Sequence, residues 1–354
     1  MMKSDNNEKK VKKDLSDIFE LFKNDPYFTG IGKILGKGSF GEVRDITYKG
    51  KTMAGKIIKQ GKGDNNGEND AYDLRGQNII KISRILQRNY EDSVYLLVIM
   101  EKAILRDLGK LSDYYHNHNL LKLIYNPFNE MAGDKLLRFY SKQIVSAMEI
   151  LNRGNYVHFD LKPENLLISI SLIVKLSDFS LLRKIKDDEM IKIPGGTNGY
   201  LTPEYYKKEE KISGERARKQ DYFAFGATLF YLKYGKSMLK NKKCDDKGSS
   251  ALSLVEKLQY EISAIRSGNF TDQDFIDFIC SLVGYIPDDR PNFEAIYRNK
   301  WLNKNSEQLH NVFWGFEYDE EKLIMELQKN DYLIEKENKI NKTPCRYKFK
   351  KRQR

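Results

Sequence analysis

The chain changes its hydrophobic period once, and that change limits the folds open to it. From Ile31 to about Met100 it runs in short β-type stretches, "IGKILG", "GEVRDITYKG", "KTMAGKIIK" and "SVYLLVIME", separated by turn signals such as Lys49-Gly50. Stretches of this kind predict strands of an antiparallel sheet. After about Arg106 the apolar residues recur at helical spacing. In "DKLLRFYSKQIVSAMEILNRGN", positions 136, 137, 140, 144, 147, 148 and 151 are apolar, which predicts a long amphipathic helix closed by Gly154. "QDYFAFGATLFYLKYG" is apolar nearly all round and predicts a buried helix. "TDQDFIDFICSLVG" predicts another, capped by Thr271 or Asp272. A small β-rich part followed by a larger helical part predicts an α+β, two-lobed fold, with an N-lobe over about 29–101 and a C-lobe over about 104–303.

The flanks differ from this core. Residues 1–28 are polar, then weakly amphipathic, and are expected to form a flexible arm. Residues 304–354 form a charged, partly helical extension whose last nine residues, "RYKFKKRQR", carry six bases and no acid. That end reads either as a solvated, disordered tail or as a contact through 346–354 for a polyanion or an import receptor. The insertion 116–133 has no pattern to assign. A net charge of +11 favours anionic partners without choosing among nucleotides, acidic peptides, nucleic acid and membrane surface. No aromatic-and-basic platform interleaves the predicted sheet, so nucleic acid is not the expected partner. No apolar run is long enough for a transmembrane segment. The charged N-terminus lacks the apolar centre of a secretory signal. Cys244, Cys280 and Cys345 are scattered and fit no zinc spacing, which suits a reducing compartment. An intracellular location, cytoplasmic or nuclear, is expected.

Three stretches carry chemistry. "LGKGSFGEV" places glycines at 36, 38 and 41. A strand pattern follows them, so the motif reads as a glycine-rich hairpin whose amides can approach phosphates. Lys56 lies thirteen residues after Val43 on the next predicted strand, with Ala54 on the same face. A lone lysine there would by default stay in solvent. "VHFDLKPENLL" puts Asp160, Lys162 and Asn165 within six residues, and Asp178 in "VKLSDFS" follows Asn165 by thirteen. Read alone, the first is a charged loop turning at Pro163. Together, Asn165 and Asp178 can offer oxygen ligands to Mg²⁺, whose shell water and phosphate complete.

In this order "GKGSFGEV", "AGK", "HFDLKPEN", "DFS", "GTNGYLTPE", "DYFAFG" and "DDRP" resemble the eukaryotic protein kinases over about residues 29–303. The resemblance implies a protein kinase-like fold, ATP and Mg²⁺ as cofactors, and a protein substrate bearing a Ser or Thr hydroxyl. It implies that Gly36, Gly38, Gly41 and Val43 cover the phosphates and that Lys56 holds the α- and β-phosphates. Asp160 would accept the hydroxyl proton, Lys162 would steady the γ-phosphate, and Asn165 and Asp178 would bind the metal. Adenine would lie between Leu35, Val43 and Ala54 above and Leu167 below. Met100 would be the gatekeeper, and the backbone of Glu101 and Ala103 would read the adenine edge. Glu68 is the candidate partner for Lys56, with Asp70 or Asp73 as substitutes. Glu204 and Arg290 would form an ion pair anchoring the activation segment, and Asp221 would bond the backbone of the catalytic loop. Lys162 and Thr197 match the serine/threonine rather than the tyrosine kinases.

Two positions depart from the family pattern. Phe159 stands where the family usually has an arginine that grips a phosphate on the activation segment, and "LLRKIKDDEMIKIPGG", from Leu181 to Gly196, contains no Ser, Thr or Tyr. Acceptor and partner are missing together, so activity independent of phosphorylation in that segment is expected. Ser180 replaces the usual glycine after Asp178-Phe179, and its side chain restricts the backbone there. A nucleotide-binding pseudokinase acting as a scaffold is the alternative to an active enzyme, and Ser180 is the feature in its favour.

Overall fold

The computed structural model describes residues 18–38, 41–61, 67–103, 105, 107–112, 130–169, 171–239, 260, 263–264 and 272–304. Strands β1 (Phe28–Gly38), β2 (Gly41–Tyr48), β3 (Lys51–Gln60), β4 (Ile82–Tyr90) and β5 (Ser93–Met100) form one antiparallel sheet in the order β1-β2-β3-β5-β4. The four stretches read from sequence became β1, β2, β3 and β5. β4, "ISRILQRNY", was not anticipated, because its charged residues break the alternation that a one-sided strand shows.

β5 explains the N-terminal arm. Its unbroken apolar run is buried on both faces: Leu96, Val98 and Met100 join the main core, and Leu97 and Ile99 join a second cluster outside the sheet. Ile18, Phe19 and Phe22 cover that outer cluster around a helical turn at Glu20–Phe22. Arg44 lies over the Phe19 ring at 5.7 Å and Arg88 over the Phe22 ring at 5.8 Å. From Ile18 onward the arm expected to be flexible is therefore packed, because the outer face of β5 needs an apolar cover.

The C-lobe is built around α1 (Glu130–Arg153), α2 (Gly214–Tyr234) and α3 (Gln273–Leu282). α1 ends one residue before Gly154, and it is Asn155 that takes the left-handed conformation (φ 59°). α2 begins earlier than its apolar pattern implied, at Gly214, where the Ser213 hydroxyl accepts from Arg216 N at 3.4 Å. Asp272 stands at the N-cap of α3 without capping it, since its carboxylate faces Arg138 at 3.6 Å and Lys304 at 3.5 Å. Short strands β6 (Tyr156–Val157), β7 (Leu166–Ile168), β8 (Val174–Leu176), β9 (Arg183–Lys184), β10 (Met190–Ile191) and β11 (Ile212–Ser213) pair as β6-β9, β7-β8 and β10-β11.

One apolar cluster runs through both lobes, from Ala54 and Val98 to Ile144 and Phe223. Between them, Ile80 N donates to Leu176 O and Leu176 N to Asn78 O, each at 2.9 Å. Among the described residues no helix is long and apolar enough to cross a membrane. The insertion up to residue 129, Thr271, Cys244, Cys345 and the extension beyond 304 lie outside the described residues.

Candidate active site

On β3 the alternation of a strand sends Ile57 to the outer cluster and Ala54 and Ile58 to the main core. Lys56 shares that inner direction and is buried. Its ammonium donates to Glu68 Oε1 at 2.6 Å, to Asp178 Oδ1 at 2.6 Å and to Ser180 Oγ at 2.8 Å. Glu68 sits on a short helix, Gly67–Ala71, pressed against the turn that follows Asp178. A Cβ at Gly67 would lie 2.2 Å from Phe179 O, so only glycine allows this approach. Asp70 and Asp73 lie instead toward Tyr156, whose hydroxyl is raised first by burial and then by their charges. Burial would pull the Lys56 ammonium down, but Glu68 and Asp178 outweigh it and keep it protonated. Burial also pushes Asp178 up, yet the Lys56 charge and hydrogen bonds from Lys56 and Ser180 hold its carboxyl at about 2.

The second group of side chains lies on the loop before β7. A 3₁₀ turn, Pro163–Asn165, folds Asn165 back so that its Nδ2 donates to Asp160 O at 2.7 Å and to Asp160 Oδ2 at 3.1 Å. Lys162 Nζ donates to Asp160 Oδ2 at 2.7 Å and to Thr197 Oγ1 at 2.6 Å, and Thr197 Oγ1 donates to Asp160 Oδ1 at 2.6 Å. Asp160 is thereby oriented through both carboxylate oxygens. Behind it, Asp221 accepts from His158 N at 2.7 Å and from Phe159 N at 2.9 Å, which fixes Phe159 in a left-handed conformation (φ 63°). Burial pushes Asp221 up to about 7, with the two amides opposing and the Asp160 charge adding to the rise. His158 is held neutral by burial. Its Nδ1 accepts from Asp160 N at 3.2 Å, so Nε2 carries the proton that faces Ser177 O at 3.1 Å.

The apolar residues expected around adenine lie together on the main core cluster. Ala54 and Met100 are register partners across β3 and β5, and Leu35, Val43 and Leu167 pack half-buried on the same cluster. Gly36 pairs with Val43, and a Cβ at Gly36 or Gly38 would meet nothing within 4 Å, so this backbone borders open space. Gly41 has φ +143°, and a Cβ there would lie 1.9 Å from Ile57 O. Glu101 N donates to Lys81 O at 3.0 Å, and Ala103 follows on the same connection.

These residues fit ATP and Mg²⁺. The glycine backbone beside open space suits phosphates, and the ionised Asp178 with the Asn165 side-chain oxygen Oδ1 suits a cation that keeps water and phosphate ligands. Among the described residues no group of three His, Cys, Asp or Glu could form an all-protein metal cage.

The remaining predicted residues lie apart from this centre. Glu204 and Arg290 form a bidentate pair, Nη1–Oε1 2.8 Å and Nη2–Oε2 2.7 Å, with both side chains buried. Arg290 also donates to Gly284 O at 2.8 Å, and its guanidinium lies over the Phe223 ring at 5.0 Å. Two contributions escaped the sequence reading. Ser180 is a hydrogen-bonding member of the Lys56–Asp178 group, and its backbone is not left-handed, so a side chain there is unstrained in this conformation. The Glu101 side chain accepts from Lys81 N at 2.7 Å and pairs with Lys175 at 2.9 Å, tying the connection after β5 to both lobes. The hydroxyl at 180 was visible in sequence; the neighbours of Glu101 were not.

A family model described as the protein kinase domain matches residues 30–302. Among curated proteins, the serine/threonine-protein kinase MRCK beta of Rattus norvegicus is 24% identical over 236 residues, which are 64% of this chain and 13% of that protein. The Aurora kinase of Saccharomyces cerevisiae is 28% identical over 281 residues, 78% of this chain and 69% of that protein. Myotonin-protein kinase of Mus musculus is 29% identical over 215 residues, 58% of this chain and 32% of that protein. The chain thus spans 13% of the length of the MRCK relatives it matches.

Proposed function

The chain belongs to the protein kinase family, and on that premise we propose that it is an active ATP- and Mg²⁺-dependent serine/threonine kinase that needs no phosphate on residues 181–196. The observation that carries this reading is the double anchoring of Asp160, by Lys162 at 2.7 Å and Thr197 at 2.6 Å, beside the Lys56–Glu68–Asp178 group.

Phosphoryl transfer asks a protein for positioning and charge neutralisation. Bound ATP and Mg²⁺ supply the phosphoryl group and the cation that draws off its charge. Asp160 accepts the proton of a substrate Ser or Thr hydroxyl as that oxygen bonds to phosphorus and the bond to the nucleotide breaks. Lys162 lies next to Asp160 and balances the negative charge there. Lys56 orients the phosphates, held by Glu68 so that its ammonium does not swing away. Asn165 and Asp178 hold the cation. Leu35, Val43, Ala54, Met100 and Leu167 exclude water around the base.

Independence from phosphorylation draws support from Phe159. Its ring is 6% exposed and packs with Val157, Ile185, Ile193, Ile212 and Ala217. Two of these, Ile185 and Ile193, belong to the segment that would otherwise need a phosphate anchor, and β10 of that segment pairs with β11. Apolar burial takes over the ordering role of a phosphate–arginine pair. The scaffold reading rests on Ser180 alone, and Ser180 joins the site's hydrogen bonds rather than breaking them. Few, scattered cysteines support an intracellular location, and the six bases of 346–354 support a polyanion or import receptor as a partner for that end.

The test is transfer from labelled ATP with Mg²⁺ to a mixed Ser/Thr/Tyr peptide library, using phosphatase-treated protein and Asp160→Asn as control. Transfer to Ser or Thr that disappears in the control is the expected result. Folded protein that binds nucleotide and transfers nothing overturns it in favour of the scaffold.

A further inference from the structure

An ammonium group has three N–H donors. In Lys56 they meet Glu68 Oε1 (2.6 Å), Asp178 Oδ1 (2.6 Å) and Ser180 Oγ (2.8 Å). The Ser180 hydroxyl in turn donates to Asp178 Oδ1 at 2.9 Å, which closes a three-membered ring of side chains. Two partners of the lysine are carboxylates and one is neutral. The neutral one is the weakest bond and the first to be exchanged for an anionic oxygen.

Asp178 needs such support. It is a non-glycine residue at φ 60°, a backbone state that persists only where its surroundings enforce it. Glu68 also accepts from the amide of Phe179, so residues 178, 179 and 180 are each tied to the Lys56–Glu68 pair. The side chain at 180 acts twice in the same direction. Its hydroxyl bonds in the observed conformation, which Ser180 adopts without a positive φ. Its Cβ removes left-handed alternatives that a glycine would leave open.

We propose that Ser180 is a positioning residue that locks Asp178 against Lys56 and gives up its place on Lys56 to a phosphate oxygen when nucleotide binds. The proposal rests on the reading of Lys56 and Asp178 as the phosphate- and metal-holding groups. It converts a departure from the family pattern into a built-in lock on the ready state.

The test uses the full chain with Ser180→Ala, Ser180→Gly and Ser180→Thr. Hydrogen exchange of the nucleotide-free protein is read at amides 178–182, with β3 and β5 as internal controls. Exchange about fivefold faster in the alanine variant, faster again in glycine and near wild type in threonine is expected for loss of one such bond and then of the backbone restriction. Binding of a fluorescent ATP analogue gives the second readout. Without Mg²⁺ the alanine variant binds more tightly than wild type, because a lysine N–H is already free. With Mg²⁺ the order reverses, because Asp178 is less well held. Alanine indistinguishable from wild type in exchange, or weaker in both binding conditions, overturns the proposal. Neither readout requires phosphate transfer, so a catalytically silent wild type would refute the kinase reading without deciding this one.

Discussion

In the C-lobe a buried charge pair makes stability sensitive to the loss of either partner. Glu204 and Arg290 are both almost fully buried, and Gln220 Nε2 adds a bond to Glu204 Oε1 at 3.1 Å. Glu204→Ala leaves a buried guanidinium without its counter-charge and is expected to lose about 3–5 kcal/mol in a denaturant titration. Asp221 makes stability depend on pH. Its carboxyl sits at about 7 in the folded protein against an ordinary 3.8, so it binds its proton more tightly folded than unfolded. Its contribution is fully present below about pH 4 and is lost as pH rises through about 7. Asp221→Asn has no such proton, so the wild-type Tm minus the variant Tm is expected to shrink from pH 5 to about pH 7 and to level off above it. Phe159 works through volume instead. Phe159→Ala removes a ring from an apolar cluster and is expected to lose about 3 kcal/mol, with loss of order in residues 185–193 by hydrogen exchange. The chemistry-bearing residues were legible because a few residue types at fixed spacings suffice to name them. Their pKa values were not, because burial and neighbours decide those.

At the scale of elements, the strands and long helices were legible where one period persisted. α1 and α2 announced themselves by apolar spacing, and β1, β2, β3 and β5 by short runs between turns. β4 was hidden because it pairs on only one side and carries Arg84 and Arg88 among its apolar residues. The packing of the arm is hidden in the sequence for a related reason. Three apolar residues at 18, 19 and 22 look weak until they have a surface to cover, and that surface is the outer side of β5, named by its own unbroken run. A strand apolar on both faces implies two covers, and the second had to come from the flank. Phe22→Ala is therefore expected to destabilise the N-lobe by about 3 kcal/mol and to speed exchange in β5 more than in α2.

At the scale of the whole molecule, the question is whether two lobes behave as one unit. Their shared apolar cluster argues that they do, and the polar contacts show where the coupling concentrates. Asn78 Nδ2 donates to Val174 O at 2.9 Å and to Gln143 Oε1 at 3.1 Å, reaching from the connection before β4 to β8 and α1. Backbone bonds at Asn78 and Ile80 continue the link to Leu176, two residues before Asp178. Glu101 and Lys175 add a second tie at the connection after β5. The strand that delivers Asp178 is thus held by N-lobe residues on one side and by Leu166 of β7, next to Asn165, on the other. Asn78→Ala leaves the Val174 carbonyl short of a donor and is expected to cost about 1–3 kcal/mol. If the lobes are one cooperative unit, urea raises exchange of β3 and α2 amides together in the wild type. In Asn78→Ala the β3 amides are expected to open at lower urea than those of α2. Simultaneous opening in the variant would show that the apolar cluster alone couples the lobes.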